Sequence, residues 1–310
     1  MTDAGQTANT TVSPSANRRT SKVTTADAAV AGIPDGATIA LGGVHSHNVP
    51  MALVHALIRR GARDLTVIPT PSAGLQVDML VAAGCVGTLH VSYVGLEFLG
   101  MAPNFRRAAE TKTIEIVEAD EAWVVFGLRA GAARLPFVAL PPLYQGTDLP
   151  KVNPLVRSVV DPYSGDEVTT IPALRADYCL MHAQVADAYG NVQVRGQRSF
   201  ENIMAKASDT VIVSADEILD PAAPAPDPRF VTVPAPLVDH VVHAPYGAHP
   251  TSSPGHYVYD REHLVEYAEL AAKGRTDEYL DRYVRSGSAH QDYLGGIGLE
   301  RLLSLVQTVA

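Results

Sequence analysis

Cysteine is nearly absent from this chain, and so is any surplus of positive charge. Cys85 and Cys179 are the two thiols of 310 residues, each in an apolar context with no CxxC spacing. That excludes a disulfide framework and fits a reducing cytoplasm. The 24 Lys and Arg are outnumbered by 33 Asp and Glu, a formal net charge of −9. Basic residues are spread thinly, which argues against a general nucleic-acid binder. An acidic substrate would therefore need locally placed cations. No apolar run approaches the ~20 residues that span a bilayer, and the first residues carry no apolar segment before a cleavage site, so a cytoplasmic protein away from membranes is expected. GxGxxG and GxxxxGK[ST], the common nucleotide fingerprints, are missing, as is the GxSxG nucleophile elbow.

What the chain does have is 46% hydrophobic content, enough for a large core. Residues 1–20 are Thr-, Ser-, Ala- and Asn-rich with Val12 as the one branched apolar residue, and a disordered tail is predicted there. From Ser21 onward, helix and strand patterns alternate. Helices are expected near 24–32, 50–60, 75–83 and within 124–134, and strands at 38–42, 65–69, 89–94 and 113–117. A Pro-rich stretch at 135–175 reads as loops with a hairpin. Strands follow in DYCLMHAQVA and DAYGNVQV around a Tyr189-Gly190-Asn191 turn, then a helix in FENIMAKAS and a strand in DTVIVSADEI. After a Pro-rich loop at 221–230 come a last strand in VDHVVHAP and a helical tail over 260–308. The succession implies an α/β protein with an open, mainly parallel sheet flanked by helices and a helical C-terminal extension, as one domain over 21–310.

The most informative stretch is DGATIALGGVHSHNVP at 35–50. Asp35-Gly36 is a turn signal, Thr38–Leu41 a buried-type strand, Gly42-Gly43 a release of backbone freedom, and Pro50 a helix start. Ligands of open α/β sheets bind at strand carboxyl ends, and glycines let backbone amides approach an oxyanion. The loop is a candidate cradle for an anion or carbonyl oxygen, or simply a turn. His45 and His47 either line that pocket as hydrogen-bond donors or are ordinary loop residues. No third ligand stands near them, so no metal site is expected. Glu118, Asp120 and Glu121 follow the strand TIEIV. They suit a general base or carboxylate nucleophile, or else a solvated acidic turn capping the next helix, and Glu121 lies nearest the helix. Ser72, after LTVIP, reads as a substrate contact or a helix N-cap. His182 is expected to pack against the sheet or bond its neighbours, and His249 lies in a loop that could reach a ligand or a partner chain.

These residues resemble a known family. Asp35, Gly36, Ile39 to Leu41, Gly42, Gly43 and Pro50 are similar to the first signature of family I coenzyme A transferases, with Val44 in place of a Phe and Asn48 in place of a Gly. The segments PMALVHALIR, MHAQVADAYGNVQ and APYGAHPTSSPGHYVYD resemble the glutaconate CoA-transferase A-subunit branch. The resemblance covers roughly 21–290. It implies a CoA-transferase-like fold, a coenzyme A thioester as substrate with no permanently bound cofactor, and covalent catalysis by a glutamate through an acyl-glutamyl anhydride. Two-subunit members carry that glutamate on a B subunit in a Ser-Glu-Asn-Gly type of motif. This chain lacks the motif, and Phe200-Glu201-Asn202-Ile203 does not replace it. The implied partner is a B subunit, in a heterotetramer or larger assembly. Gly42, Gly43, Val44, His45, His47 and Asn48 would contribute to the acyl-CoA site. A sub-branch that hydrolyses a carbon–carbon bond in ring-opened steroid CoA thioesters uses an A-subunit glutamate at a place matched by Glu121. The Arg those hydrolases carry after an LPF segment has no counterpart in LPFVALPPLYQG.

Overall fold

The computed structural model describes residues 20–144, 146–220 and 227–306. The tail expected at 1–20, apart from Thr20, and most of the loop at 221–230 lie outside the described residues. β1 (Val23–Thr24) leads into α1 (Ala26–Val30), where Thr25 Oγ1 accepts the Ala28 N–H at 3.2 Å and caps the helix. β2 (Thr38–Leu41) precedes α2 (Met51–Arg60), which stops at Gly61 with φ +72°. There the glycine N–H satisfies the carbonyls of Ile58 and Leu57, an ending that favours Gly because the backbone is left-handed. Alternation continues through β3 (Leu65–Pro69), α3 (Leu75–Ala82), β4 (Val86–Val91), α4 (Pro103–Thr111), β5 (Glu115–Glu118) and α5 (Glu121–Ala132). β4 starts before the expected Leu89 and ends at Val91 rather than Val94, because Val94 bridges Ala73 outside the strand.

The Pro-rich middle is more ordered than loops with a hairpin. β6 (Phe137–Leu140), a short α6 (Leu149–Val152), β7 (Arg157–Val160) and β8 (Glu167–Pro172) form a separate antiparallel sheet in the order β6-β8-β7. The β7–β8 hairpin is as expected. β6 joins it because the prolines of this region fall in the connections, in the first turn of α6 or at the end of β8, leaving FVAL free to donate its ladder hydrogen bonds.

The chain then returns to the main sheet with β9 (Ala176–Asp187), β10 (Val192–Gln193), α7 (Glu201–Ala207), β11 (Ser208–Leu219) and β12 (His240–His243). Strand order is β1-β12-β11-β9-β2-β3-β4-β5, all parallel, with β10 antiparallel to β9. Alternate residues enter opposite cores, as the two-residue strand period requires. Ile39 and Leu41 join one core and Ala40 the other. The first face is covered by α1 to α3 and by the C-terminal helices α8 (Arg261–Ala272) and α9 (Thr276–Tyr279), with α10 (His290–Ile297) packing on α2 and α11 (Leu299–Ser304) on α10. The second is covered by α5 and α7. The helical extension is thus built into the core: Tyr267, Tyr279, Leu280 and Val284 are completely buried in it. No helix among the described residues is long and apolar enough to cross a membrane.

Candidate functional site

From β2 the chain builds outward through β3, β4 and β5 on one side, and later through β9, β11 and β12 on the other. The border between β2 and β9 is therefore the topological switch point, where open parallel sheets leave a crevice at the strand carboxyl ends. Gly42 to Asn48 emerge at that point. β2 pairs with β9 as far as Leu180, whose carbonyl accepts the Gly42 N–H at 2.8 Å. Further along, β9 pairs instead with β10 at Val185 and Ala186.

The loop is held on every side. Gly43 has φ +89°, and a Cβ there would stand 2.7 Å from Val49 Cα, so both the backbone and the space require glycine. Thr70 Oγ1 donates to the Gly43 carbonyl. Val44 and His47 exchange two backbone hydrogen bonds at 3.0 Å, closing a tight turn in which His45 has φ +53°. His45 N–H bonds Ser72 O at 2.9 Å, Asn48 N–H bonds Ser252 O at 2.9 Å, and Ser252 N–H bonds Ser46 O at 2.8 Å. His47 Nδ1 meets Ser252 Oγ at 2.5 Å. Asn48, buried and with φ +54°, accepts Gln184 Nε2 on Oδ1 at 2.6 Å. Within Gly42–Asn48 the amides of residues 42, 44, 45, 47 and 48 are committed to carbonyls. Those of Gly43 and Ser46 meet no acceptor among the described residues. The Gly42 amide is not one of them.

The candidate residues Gly42, Gly43, Val44, His45, His47 and Asn48 thus come together on one loop, and the mouth beside it adds others. Ser46 Oγ donates to the Glu97 carboxylate, whose other oxygen lies 3.9 Å from His45 Nδ1. The Tyr93 ring centroid is 6.4 Å from that of His45. Glu121 is exposed at the start of α5 and accepts Ser72 Oγ at 3.3 Å, so it stands one residue contact away from the loop. Ser72 does not cap α3, whose cap position is Gly74. Asp120 does what the capping alternative foresaw: its Oδ1 accepts Trp123 N–H at 2.7 Å and Tyr144 OH at 2.8 Å. Glu118 is exposed, and its carbonyl is bonded by Asn153.

His182 and His249 serve the interior. His182 is buried between Ser214 Oγ at 3.0 Å and Asp216 Oδ2 at 3.1 Å. Burial by itself would raise the Asp216 pKa, but the His182 imidazole and the Ser253 hydroxyl hold its carboxyl below the usual range. Ser253 in turn accepts from Gln184, so this chain of bonds ends at Asn48. His249 is fully buried against Tyr293 OH at 2.6 Å and Asp260 at 3.2 Å. Its loop does reach the site, but through Ser252 and Ser253. Sequence reasoning missed these serines, Gln184, Thr70 and Glu97, because no local pattern announces partners that meet the loop only across the fold. Both cysteines are buried and free. Burial pushes the Cys85 thiol up to about 11, and that of Cys179 up as well, so neither is an available nucleophile.

The glycine-turn loop thus lies at the switch point of a parallel sheet covered on both faces, at the strand carboxyl ends. The sequence pattern of the family described as coenzyme A transferase matches residues 23–244. The chain belongs to that family. It is 34% identical over 259 residues to the A-type subunit of the 3-oxoadipate CoA-transferase of Pseudomonas knackmussii, covering 82% of this chain and 89% of that one. It is 32% identical over 286 residues to a cholesterol ring-cleaving hydrolase IpdA subunit of Rhodococcus jostii, covering 87% and 94%. A further relative, from Archaeoglobus fulgidus, is 33% identical over 280 residues, and the chain spans 62% of its length. Among solved structures, glutaconate coenzyme A-transferase of Acidaminococcus fermentans superposes with TM-score 0.88 at 28% identity, covering 93% of this chain and 96% of that one. The decarboxylase AibA/AibB gives TM-score 0.78 at 35% identity, covering 84% and 98%.

Proposed function

We propose that this chain is the A subunit of a heteromeric CoA-transferase that moves CoA between an acyl-CoA and a carboxylic acid, with the glutamate nucleophile supplied by a B subunit. The observation that carries the reading is the loop Gly42–Asn48 at the switch point of a chain related to transferase A subunits and lacking a Ser-Glu-Asn-Gly type of motif. The partner's carboxylate attacks the thioester carbonyl. In this reading the Gly43 and Ser46 amides stabilise the tetrahedral oxyanion, and departure of the CoA thiolate gives an acyl-glutamyl anhydride. Thiolate attack on the glutamyl carbonyl then releases the first acid and leaves a glutamyl-CoA thioester, from which the acceptor carboxylate takes the CoA. Val44, His45, His47 and Asn48 shape the acyl side of the loop. No group of three His, Cys, Asp or Glu side chains able to hold a metal ion occurs among the described residues.

The test is co-purification with the B-type subunit of the adjacent reading frame and assay of CoA transfer from acyl-CoA to a panel of carboxylic acids. Transfer to at least one acid is expected, and its absence from the whole panel would overturn the reading. A second reading is favoured by the position of Glu121 beside Ser72 and by the hydrolase relatives: an A subunit that cleaves a carbon–carbon bond in ring-opened CoA thioesters, with Glu121 as base. Glu121→Gln separates the two. In the transferase it lowers turnover less than tenfold; in the hydrolase it abolishes turnover while the complex still assembles.

A further inference from the structure

β10 takes the place beside β9 that β2 gives up. β2 pairs with β9 at Tyr178, Cys179 and Leu180, and Val192 and Gln193 pair with Ala186 and Val185. The segment after β10, Arg195-Gly196-Gln197-Arg198, therefore crosses the carboxyl end of β2, beside the acyl loop. Gln184 ties the two together. Its Oε1 accepts Arg195 N–H at 2.6 Å while its Nε2 donates to Asn48 Oδ1 at 2.6 Å, and Asn48 Nδ2 reaches Arg195 O at 3.4 Å. On the other side Gly196, at φ +78°, packs so closely on Pro254 that a Cβ would stand 2.9 Å from it. Both arginine side chains are exposed. Arg198 Nε donates to Val194 O at 3.1 Å. Arg59, Arg60, Arg134, Arg282, Arg285 and Arg301 face carboxylates at 2.5–3.6 Å, whereas Arg129 and Arg157, far from the loop in the chain, are in no such pair among the described residues. Arg195 and Arg198 form no ion pair with a carboxylate among the described residues. In a chain of net charge −9, two exposed guanidinium groups on a segment anchored to the acyl loop add positive charge beside that loop, with Arg198 also acting on the Glu201 carboxyl from the same stretch.

We propose that Arg195 and Arg198 form an oxyanion subsite that takes a charged end of the substrate pair, either a phosphate of CoA or the second carboxylate of a dicarboxylic acid. Guanidinium groups suit both, since their paired N–H donors match the oxygens of phosphate and carboxylate. The proposal rests on the transferase reading for the identity of the substrates. Its test uses the assembled A–B complex and the double variants Arg195→Gln/Arg198→Gln and Arg195→Lys/Arg198→Lys, whose exposed positions leave folding to proceed. CoA and 3′-dephospho-CoA are titrated calorimetrically, and KM is measured for a dicarboxylic and a monocarboxylic acceptor of equal length.

If the anion is a CoA phosphate, the Gln variant loses at least tenfold in CoA affinity with acceptor KM unchanged, and the loss disappears for 3′-dephospho-CoA when the 3′-phosphate is the group bound. If it is a carboxylate, KM rises at least tenfold for the dicarboxylic acceptor alone. In either case the Lys variant recovers part of the loss. CoA affinity and both KM values within twofold of the unsubstituted complex overturn the subsite. A complex that binds CoA but transfers it to no acid overturns the transferase reading instead, and the CoA titration still decides the phosphate arm. A complex that binds no CoA overturns both.

Discussion

Gly43 carries two constraints that can be measured apart. Its φ of +89° disfavours any L side chain, and Val49 Cα leaves no room for one. Gly61 has the first constraint without the second, with φ +72° and open space around it. Gly61→Ala should cost about 1 kcal/mol, the penalty of a left-handed backbone, whereas Gly43→Ala should cost roughly 3 kcal/mol or more because backbone must move as well. Urea midpoints of the two variants check this, and equal losses would show that the Gly43–Val49 approach relaxes freely. The sequence made Gly42 and Gly43 legible as a turn, since glycine after a buried strand has few other uses. It could not tell which amides stay free, because that depends on Leu180, Ser72 and Ser252 arriving from other elements. Nor could it show that Ser72 bonds Glu121 while Gly74 takes the cap.

Among the elements, the C-terminal helices bring buried histidines to the first core. His263, on α8, bonds Tyr279 OH at 2.5 Å, and His290, on α10, bonds Pro245 O at 2.8 Å. Burial lowers the His263 pKa from 6.5 to about 3 and the His290 pKa from 6.5 to about 4. Both are neutral in the folded protein where an unfolded chain would protonate them. Above pH 6.5 neither affects the balance. As pH falls below that value the unfolded state binds the extra protons, and stability drops by about 1.4 kcal/mol per pH unit for each histidine. The loss levels off below the folded pKa. His290→Gln should therefore flatten the pH dependence of the unfolding free energy between pH 6 and 4 by about 1 kcal/mol per unit, read from urea curves; profiles parallel to the unsubstituted protein would refute the assignment. The helical pattern of 260–308 was plain in the sequence. That its histidines and tyrosines are interior was not, because side chains with both apolar rings and polar atoms suit either environment until partners are known.

At the scale of the whole molecule, the family pattern ends at residue 244, but the folded unit does not. Ser252 and Ser253 brace the candidate loop, and Tyr267, Tyr279, Leu280 and Val284 fill the core over the sheet. At about 1.5–3 kcal/mol for each large side chain buried, those four together approach the ~5–15 kcal/mol that stabilises an ordinary domain. A chain shortened after Ala244 should give no cooperative thermal transition by calorimetry, and a sharp one would mean that the C-terminal helices are an accessory layer. Alternating apolar strands and amphipathic helices determined the α/β class and the parallel sheet from sequence alone, because hydrophobic period and turn chemistry are local. The strand-loop-helix at 35–50 was legible for the same reason. Only the tertiary structure decided that β9 lies beside β2 with β10 taking over further along β9, that the Pro-rich middle closes into its own three-stranded sheet, and that Arg195 stands next to Asn48. These are pairings between residues far apart in the chain, set by which buried faces and unpaired backbone groups can satisfy one another in space, and no single stretch of sequence carries that information.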